Sequence, residues 1–181
     1  MKEIRLHGIG GLGTVRAGES RAHAAVASGK YGNSIPFFGF ERQGAPVTSY
    51  VRLGDEKIRP KNQVYHPNCT LVLDPSLLIS APVFDGLTEN SYFIVNTKAE
   101  NGADLVKNPN VKTVAWLDAT SIALEMLGRP ITNTIMLGAF VRATGWVDKD
   151  ELEKVICRFF GEKNVETFRR GYNEVKLYTF E

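Results

Sequence analysis

The sequence predicts an α/β fold built around a mixed, mostly parallel β-sheet. Short, continuous apolar runs alternate with helix-like segments through the first two-thirds of the chain, as in sheets covered on both faces. Two β-rich arms flank Gly54-Asp55-Glu56, which predicts a β-hairpin and makes the sheet mixed. The last third shows the 3.6-residue apolar periodicity of amphipathic helices.

The first elements are a strand, a helix and an edge strand. The stretch "EIRLHG" reads as a strand, and "TVRAGESRAHAAVASG" reads as a helix that stops near Gly29. The run "NSIPFFGF" is a second extended segment. Its Pro36 indicates a sheet edge or a bend, because proline cannot donate to a strand ladder.

Three compact apolar runs, "CTLVLDP", "SYFIVNT" and "KTVAWLDA", predict the buried centre of the sheet. The segments between them, such as "SLLISAPVFDGL", are expected to supply covering helices.

Four helices are predicted after the last of these strands. The first is "TSIALEMLG", the second follows Pro130 and ends at Gly145, and the fourth begins near Asn164. The third has the clearest pattern, with Asp148 as an N-cap candidate three residues before Glu151. Its apolar stripe, which we expect to face the core, comprises Leu152, Val155, Ile156, Phe159 and Phe160.

Length and charge limit the classes of function. We expect 181 residues to form a single domain over residues 1–181. The net charge is +2 and no basic run occurs, which argues against a nucleic-acid partner. Apolar runs are too short to span a membrane and no signal peptide is evident, so we expect a cytoplasmic protein with no membrane partner.

The cysteines and histidines do not suggest a metal or redox site. Cys69 and Cys157 are far apart in sequence, and both are expected to be buried thiols. Four-iron clusters normally take four thiolates, so the chain cannot hold one alone. The three histidines lack metal-ligand spacing, and for His7 we favour a structural or hydrogen-bonding role.

A glycine loop follows the first strand, with Gly8, Gly10 and Gly13 in a G-x-G-x-x-G pattern. Such loops let backbone N–H groups approach a phosphate at a helix N-terminus. A dinucleotide site also needs an acidic residue about 20 positions further on, and residues 28–40 contain none. Another phosphate-bearing ligand and a purely structural turn both remain open.

Several segments together resemble the gamma subunit of the 2-oxoacid:ferredoxin oxidoreductases, the pyruvate synthase group. They are "HGIGGLGTV", "SIPFFGFERQGAPVTSYVRL", "DPSLL", "IVNT", "LDATSIALEMLGRPITNTIMLGAFVRATGWV" and "FRRGYNEV". The resemblance covers nearly the whole chain and implies a Rossmann-like three-layer fold.

The resemblance also implies a division of labour within a hetero-oligomer of alpha, beta, gamma and delta subunits. In the family, partner subunits carry thiamine diphosphate with Mg²⁺, and a ferredoxin-like subunit carries [4Fe-4S] clusters. The complex converts a 2-oxoacid, coenzyme A and oxidised ferredoxin to acyl-coenzyme A, carbon dioxide and reduced ferredoxin. The gamma chain contributes to coenzyme A binding, has no catalytic residue of its own and is inactive alone.

The resemblance assigns the anionic coenzyme A to the glycine loop and to two other positions. An arginine suits phosphate oxygens, although Arg42 is equally consistent with an ion pair at the surface. Asn133 stands at a predicted helix start and is also consistent with a simple N-cap. The candidate coenzyme A residues are Gly10, Gly11, Gly13, Thr14, Arg42 and Asn133.

Three alternatives remain. Leu12 stands where many family members have Gln, and the predicted helix after it is polar, which would suit a gamma subunit of a coenzyme A-independent oxalate oxidoreductase. The others are a stand-alone nucleotide- or coenzyme-binding module and a scaffold whose glycine loop binds nothing. The phenylalanines Phe37, Phe38 and Phe40 fit either a subunit interface or the chain's own core.

Overall fold

The computed structural model describes residues 1–11, 30–37 and 44–181 of the chain. Its described strands form one seven-stranded sheet in the order β2-β3-β1-β4-β5-β6-β7. The strands are β1 Lys2–Ile9, β2 Tyr31–Phe37, β3 Pro46–Gly54, β4 Cys69–Val72, β5 Ser91–Asn96, β6 Val111–Leu117 and β7 Lys176–Thr179.

The centre of this sheet is parallel and its margins are antiparallel. Strands β1, β4, β5 and β6 run parallel to one another. Strand β3 is antiparallel to both β1 and β2, and β7 is antiparallel to β6. The predicted α/β fold with a mixed, mostly parallel sheet is therefore confirmed in its parallel core.

The hairpin predicted at Gly54-Asp55-Glu56 is wrong in its position. Strand β3 ends at Gly54, and residues 55–68 form no strand. Strand β3 instead pairs along its length with β1 on one side and β2 on the other. Both of its edges are therefore occupied, and a second arm after Gly54 has no edge of β3 to pair with.

Five α-helices lie in the described chain, four of them in the last third as predicted. They are α1 Leu77–Ser80, α2 Ala119–Leu127, α3 Asn133–Thr144, α4 Lys149–Phe160 and α5 Glu162–Glu174. Helices α2 and α3 end at Gly128 and Gly145, whose positive φ angles of 67° and 62° suit the left-handed C-cap. The helix predicted within residues 14–29 lies outside the described residues.

Helices α2 to α5 cover one face of the sheet and make its larger core. Helix α3 is buried on nearly every side because it lies between the sheet and α5. At the crossing, Gly138 packs against the backbone of α5, and Gly171 packs against the Ile135 carbonyl. A Cβ at either glycine would collide with main-chain atoms, so the two helices pack backbone to backbone.

Among the described residues, the opposite face is covered more thinly than predicted. The segment between β4 and β5 forms only the single turn α1, followed by a loop whose Phe84 stacks on Phe93 at 4.6 Å. A 3₁₀ turn, Gly102–Leu105, packs Gly102 against the ring of Trp116. Proline at 75 and 82 and glycine at 86 leave little room for a longer helix.

Two apolar residues of α4 are more exposed than their pattern predicts. Leu152 and Ile156 are buried as expected, but Phe159 is 51% exposed and Cys157 is exposed. The five-residue stripe is wider than the surface that packs against the core, so its flank faces solvent. Cys69 is buried as predicted, and no disulfide joins it to Cys157.

Both ends of the sheet are edge strands. Strand β2 is the edge that Pro36 predicts, and its Phe37 is half-exposed against Tyr50; Phe38 and Phe40 lie outside the described residues. Strand β7 was not predicted from the sequence. Its four residues are all exposed, so no alternation of buried and exposed side chains marks it.

Candidate functional site

The carboxyl ends of β1 and β4 meet at the point where the order of the strands reverses. From β1 the chain leads towards β2 at one edge of the sheet, and from β4 it leads through β5 and β6 towards the other. The Leu73 N–H donates to the His7 carbonyl at 2.8 Å, which keeps the two strand ends together. Ligands of open α/β sheets bind outside the carboxyl ends of strands at such a reversal.

The N-terminus of α3 reaches this same edge. The Thr132 hydroxyl and the Asn96 amide both donate to the Leu73 carbonyl, each at 3.0 Å. Helix α3 therefore starts beside the end of β4, and the positive end of its dipole lies at the reversal point.

Asn133 is the first residue of α3 and is 3% exposed. The N-cap is Thr132, so the alternative that Asn133 serves as the N-cap is wrong. The Asn133 Oδ1 atom accepts from the Thr134 N–H at 2.9 Å. This bond fixes the amide and leaves the Asn133 Nδ2 group as a donor at the helix start.

The glycine loop is described as far as Gly11. The Gly10 N–H donates to the Ala45 carbonyl at 2.8 Å, and the Gly10 carbonyl accepts from the Gly44 N–H at 3.3 Å. Gly10 is thus tied to the segment before β3, and its N–H is already used. Gly11 is exposed with φ at +86°, a conformation that favours glycine.

Three of the six candidate residues therefore lie at one edge of the sheet, namely Gly10, Gly11 and Asn133. The other three, Gly13, Thr14 and Arg42, lie outside the described residues. All six remain predicted site residues.

A polar cluster on the thinly covered face was missed by the sequence reasoning. Along β1, Ile4 and Leu6 enter the larger core, whereas Arg5 and His7 point to the other face, where both are buried. The Arg5 Nε atom donates to His7 Nε2 at 3.0 Å, and Arg5 Nη2 donates to the carbonyls of Asp85 and Pro82 at 2.6 and 3.3 Å. The signal in the sequence was the alternation of Arg5 and His7 with apolar residues in a strand that is buried on both faces.

Burial determines the protonation of this cluster. It lowers the pKa of His7 to about 3, with the nearby Arg5 charge acting in the same direction. Burial also lowers the pKa of Arg5 and raises the pKa of Tyr50. Because His7 Nε2 accepts a hydrogen bond, its single proton is on Nδ1 at neutral pH. The structural and hydrogen-bonding role predicted for His7 is confirmed.

Arg5, His7 and Tyr50 line a cavity of about 220 Å³ that also touches Gly8 and Pro46. Gly8 and Pro46 are at the end of β1 and the start of β3, so the cavity opens at the same edge as the glycine loop.

A second cleft, of about 400 Å³, lies beyond the carboxyl ends of β5 and β6. Its charges are of both signs, with more acidic than basic side chains, and some of them are paired. Arg170, for example, contacts Glu125 at 3.0 Å and Glu174 at 2.6 Å. This pairing makes the cleft a poorer anion site than the edge at β1 and β4.

Two classes of site receive no support from the described chain. Across residues 1–11, 30–37 and 44–181, His, Cys, Asp and Glu nowhere form a group of three or more placed to hold a metal ion. No helix in those ranges combines the length and apolarity needed to cross a membrane.

Comparisons with known proteins identify the family. A family profile described as "Pyruvate ferredoxin/flavodoxin oxidoreductase" matches residues 3–174. The pyruvate synthase subunit PorC of Methanothermobacter marburgensis is 47% identical, over 97% of this chain and 98% of its own length. The "Pyruvate/ketoisovalerate oxidoreductases common subunit gamma" of Pyrococcus furiosus is 46% identical, over 98% of this chain and 99% of its own.

A solved structure agrees. The pyruvate oxidoreductase subunit PORC of Thermotoga maritima superimposes with a TM-score of 0.85 at 38% identity, over 97% of each chain. This match supports the Rossmann-like assignment of the fold. The chain therefore belongs to the pyruvate ferredoxin/flavodoxin oxidoreductase family, as a gamma-type subunit of an oxidoreductase, which confirms the resemblance read from its sequence.

Proposed function

We propose that this chain helps to bind coenzyme A in a complex that oxidatively decarboxylates a 2-oxoacid. The bond between the keto carbon and the carboxylate breaks, carbon dioxide leaves, and the acyl carbon forms a bond to the coenzyme A sulfur. The two electrons that are released pass to ferredoxin. Alpha, beta and delta subunits complete the complex, and the gamma chain also helps to hold it together.

The observation that carries the proposal is the convergence of the exposed Gly11, at the described end of the glycine loop, and a helix N-terminus at the strand reversal. Gly11 offers a backbone with no side chain, and α3 offers a positive dipole end with the Nδ2 group of Asn133. Both favour phosphate oxygens. Coenzyme A has a pyrophosphate and needs no ribose-binding acid of the kind that dinucleotide sites use.

The redox and carbon–carbon chemistry belongs to partner chains in this proposal. Cys69 is buried on β4 and Cys157 is exposed on α4, a pair that does not fit a four-iron cluster. Thiamine diphosphate and Mg²⁺, when bound in the partners, supply the stabilised carbanion chemistry that decarboxylation needs.

Partner chains also select the 2-oxoacid in this proposal. The Pyrococcus relative is named a common subunit of pyruvate and ketoisovalerate oxidoreductases. One gamma chain that serves two oxidoreductases cannot be what separates their substrates. We therefore propose that this chain helps to bind the shared co-substrate, coenzyme A, and to assemble the complex.

The test is the variant Asn133→Asp in the assembled complex. The substitution retains the size of the side chain and suits a helix start, so the fold should survive, while the new charge repels phosphate. We expect the dissociation constant of coenzyme A, measured by calorimetry, to rise about tenfold or more. The KM of the 2-oxoacid should change little.

Asn101→Asp is the matched control, because it adds the same charge at an exposed position on the 3₁₀ turn. Equal coenzyme A affinity in Asn133→Asp and wild type, with the complex intact, would favour the scaffold alternative. Turnover of oxalate without coenzyme A would favour the coenzyme A-independent branch.

A further inference from the structure

We propose that the cavity lined by Arg5, His7 and Tyr50, which opens at the same edge of the sheet as the glycine loop, binds a small oxyanion through residues other than those proposed for coenzyme A. The chemistry that it recognises is a compact phosphate or carboxylate group. The inference is independent of the coenzyme A proposal, since it rests on a different face of the sheet and on different residues.

Arg5 is a buried cation that donates no hydrogen bond to a carboxylate of a described residue. The residue is 8% exposed, and no ion pair between described residues includes it. Its Nε and Nη2 groups donate to a neutral imidazole and to two backbone carbonyls, all of them uncharged acceptors. The Asp85 carboxylate is close enough to favour the charged form of Arg5, but only the Asp85 backbone accepts a hydrogen bond from it.

Burying a guanidinium without a counter-ion is costly, and a buried charge normally has a partner. The neighbouring Arg52 shows the usual arrangement. It is 3% exposed and its Nε atom donates to the Glu3 carboxylate at 2.8 Å. The two arginines lie on the same face of adjacent strands, and of the two only Arg52 donates to the carboxylate of a described residue. No hydrogen bond between described residues uses the Nη1 group of Arg5, and we assign this group to the anion.

Other polar side chains around the cavity can donate hydrogen bonds. His7 presents a protonated Nδ1, because its Nε2 atom accepts from Arg5. Tyr50 and Thr48 add hydroxyl groups, and the described residues that line the cavity include no acidic side chain. The lining therefore offers hydrogen-bond donors and a positive charge, which together suit an oxyanion.

The size of the cavity also suits a small oxyanion. A cavity of about 220 Å³ is far larger than the ~30 Å³ that one water occupies in the liquid. It has room for a phosphate or a carboxylate with several waters. It is smaller than the roughly 300–1,000 Å³ of typical sites for drug-sized ligands, which favours a compact anion.

The experiment is a titration of the full-length chain with inorganic phosphate at pH 7, with sodium chloride used to hold ionic strength constant. The signals followed by NMR are the Arg5 Nε–H and His7 Nδ1–H groups. We expect both to shift along one saturable curve, and we expect chloride alone to leave them in place. Acetate in place of phosphate distinguishes a carboxylate from a phosphate preference.

Two variants locate the site. Arg5→Gln should abolish the saturable shift of His7. Since Arg5 also holds the loop at Pro82 and Asp85, Tyr50→Phe is the second variant and removes one hydroxyl only. Loss of one hydrogen bond should weaken phosphate binding roughly 3- to 10-fold. Tyr31→Phe and Arg59→Gln, which change exposed residues away from the cavity, should bind as the wild type does.

Three results would overturn the proposal. One is the absence of any saturable shift of the Arg5 and His7 signals. Another is equal phosphate affinity in Tyr50→Phe and the wild type. The third is a response confined to the backbone amides of Gly11 and Thr134, which would place phosphate at the coenzyme A edge alone and leave that proposal standing.

Discussion

The two faces of strand β1 show two different ways of filling the space next to a sheet. On one face, Ile4 and Leu6 enter an apolar core that is closed by four helices. On the other, Arg5 and His7 are nearly as buried, yet they contact carbonyls, each other and a cavity. Adjacent residues of β1 therefore lie in different environments, and different interactions stabilise the two faces of the strand.

The difference shows which forces act on each side. The helical face is stabilised by removing apolar surface from water, a contribution that depends weakly on pH. The polar face is stabilised by groups whose protonation state is fixed by burial, so its contribution changes with pH.

The largest effect is expected for Leu6→Ala. Leu6 is fully buried in the helical core, so truncation loses both transfer energy and packing. We expect the free energy of unfolding to fall by about 3 kcal/mol, within the usual 2–5 kcal/mol for such changes. Urea unfolding should give the same loss at pH 7 and pH 5.

Ile79→Ala is the matched control, because Ile79 is 94% exposed and its truncation should change stability very little. A loss for Leu6→Ala that differs strongly between the two pH values would mean that the two faces are not separable.

The second effect is a pH dependence of stability that His7 causes, and it can be measured in the wild-type chain. Its pKa in the folded chain is about 3, because of burial and then of Arg5, whereas an unfolded histidine titrates near 6.5. The unfolded chain therefore takes up the proton first as the pH falls. The stability that His7 contributes is complete above about pH 6.5 and is lost progressively towards pH 3.

About 3 kcal/mol of unfolding free energy should disappear between pH 7 and pH 4.5 through this one group, at up to about 1.4 kcal/mol per pH unit. His7→Gln cannot take up a proton and retains an acceptor for Arg5. Its stability should therefore fall much less over the same range in urea titrations. Parallel curves for the two proteins would show that His7 does not titrate as the structure requires.

The contrast between the faces also explains what the sequence could predict. Helices α2 to α5 were placed correctly because their periodicity, the Asp148 cap and the terminal glycines are local signals. Strands β4, β5 and β6 were found for the same reason, as short and continuous apolar runs. The family resemblance, carried by motifs along nearly the whole chain, identified the family.

The errors come from interactions between distant parts of the chain. The misplaced hairpin arose because β3 pairs with β1 and β2, which residues 46–60 alone do not reveal. Strand β7 exists because β6 offers an edge, since its own residues have no buried face. The Arg5–His7 pair was missed because its acceptors, Pro82 and Asp85, are almost 80 residues away. The use of the Gly10 N–H by Ala45 was likewise invisible in the sequence.

A smaller effect is expected at the helix cap of α4. The Asp148 Oδ1 atom accepts from the Glu151 N–H at 2.9 Å, which satisfies one of the free donors of the first turn. Asp148→Ala should lower the free energy of unfolding by about 1 kcal/mol in urea titrations. Asp148→Asn retains a hydrogen-bond acceptor and should keep most of the stability that the cap contributes. An equal loss in both variants would point to the charge instead of the cap.

The smallest effect is expected for Lys154→Gln, which removes an exposed ion pair from the helical layer. The Lys154 Nζ atom contacts Glu151 Oε1 at 2.7 Å, but 71% of the lysine side chain is in water. Pairing Lys154 with Glu151 raises the pKa of the lysine, yet solvent screens an attraction made at such an exposed position. We expect urea midpoints that match the wild type at both low and high salt. A clear loss that high salt removes would mean that charges outside the core also stabilise the helical face, which would remove the contrast with Arg5 and His7.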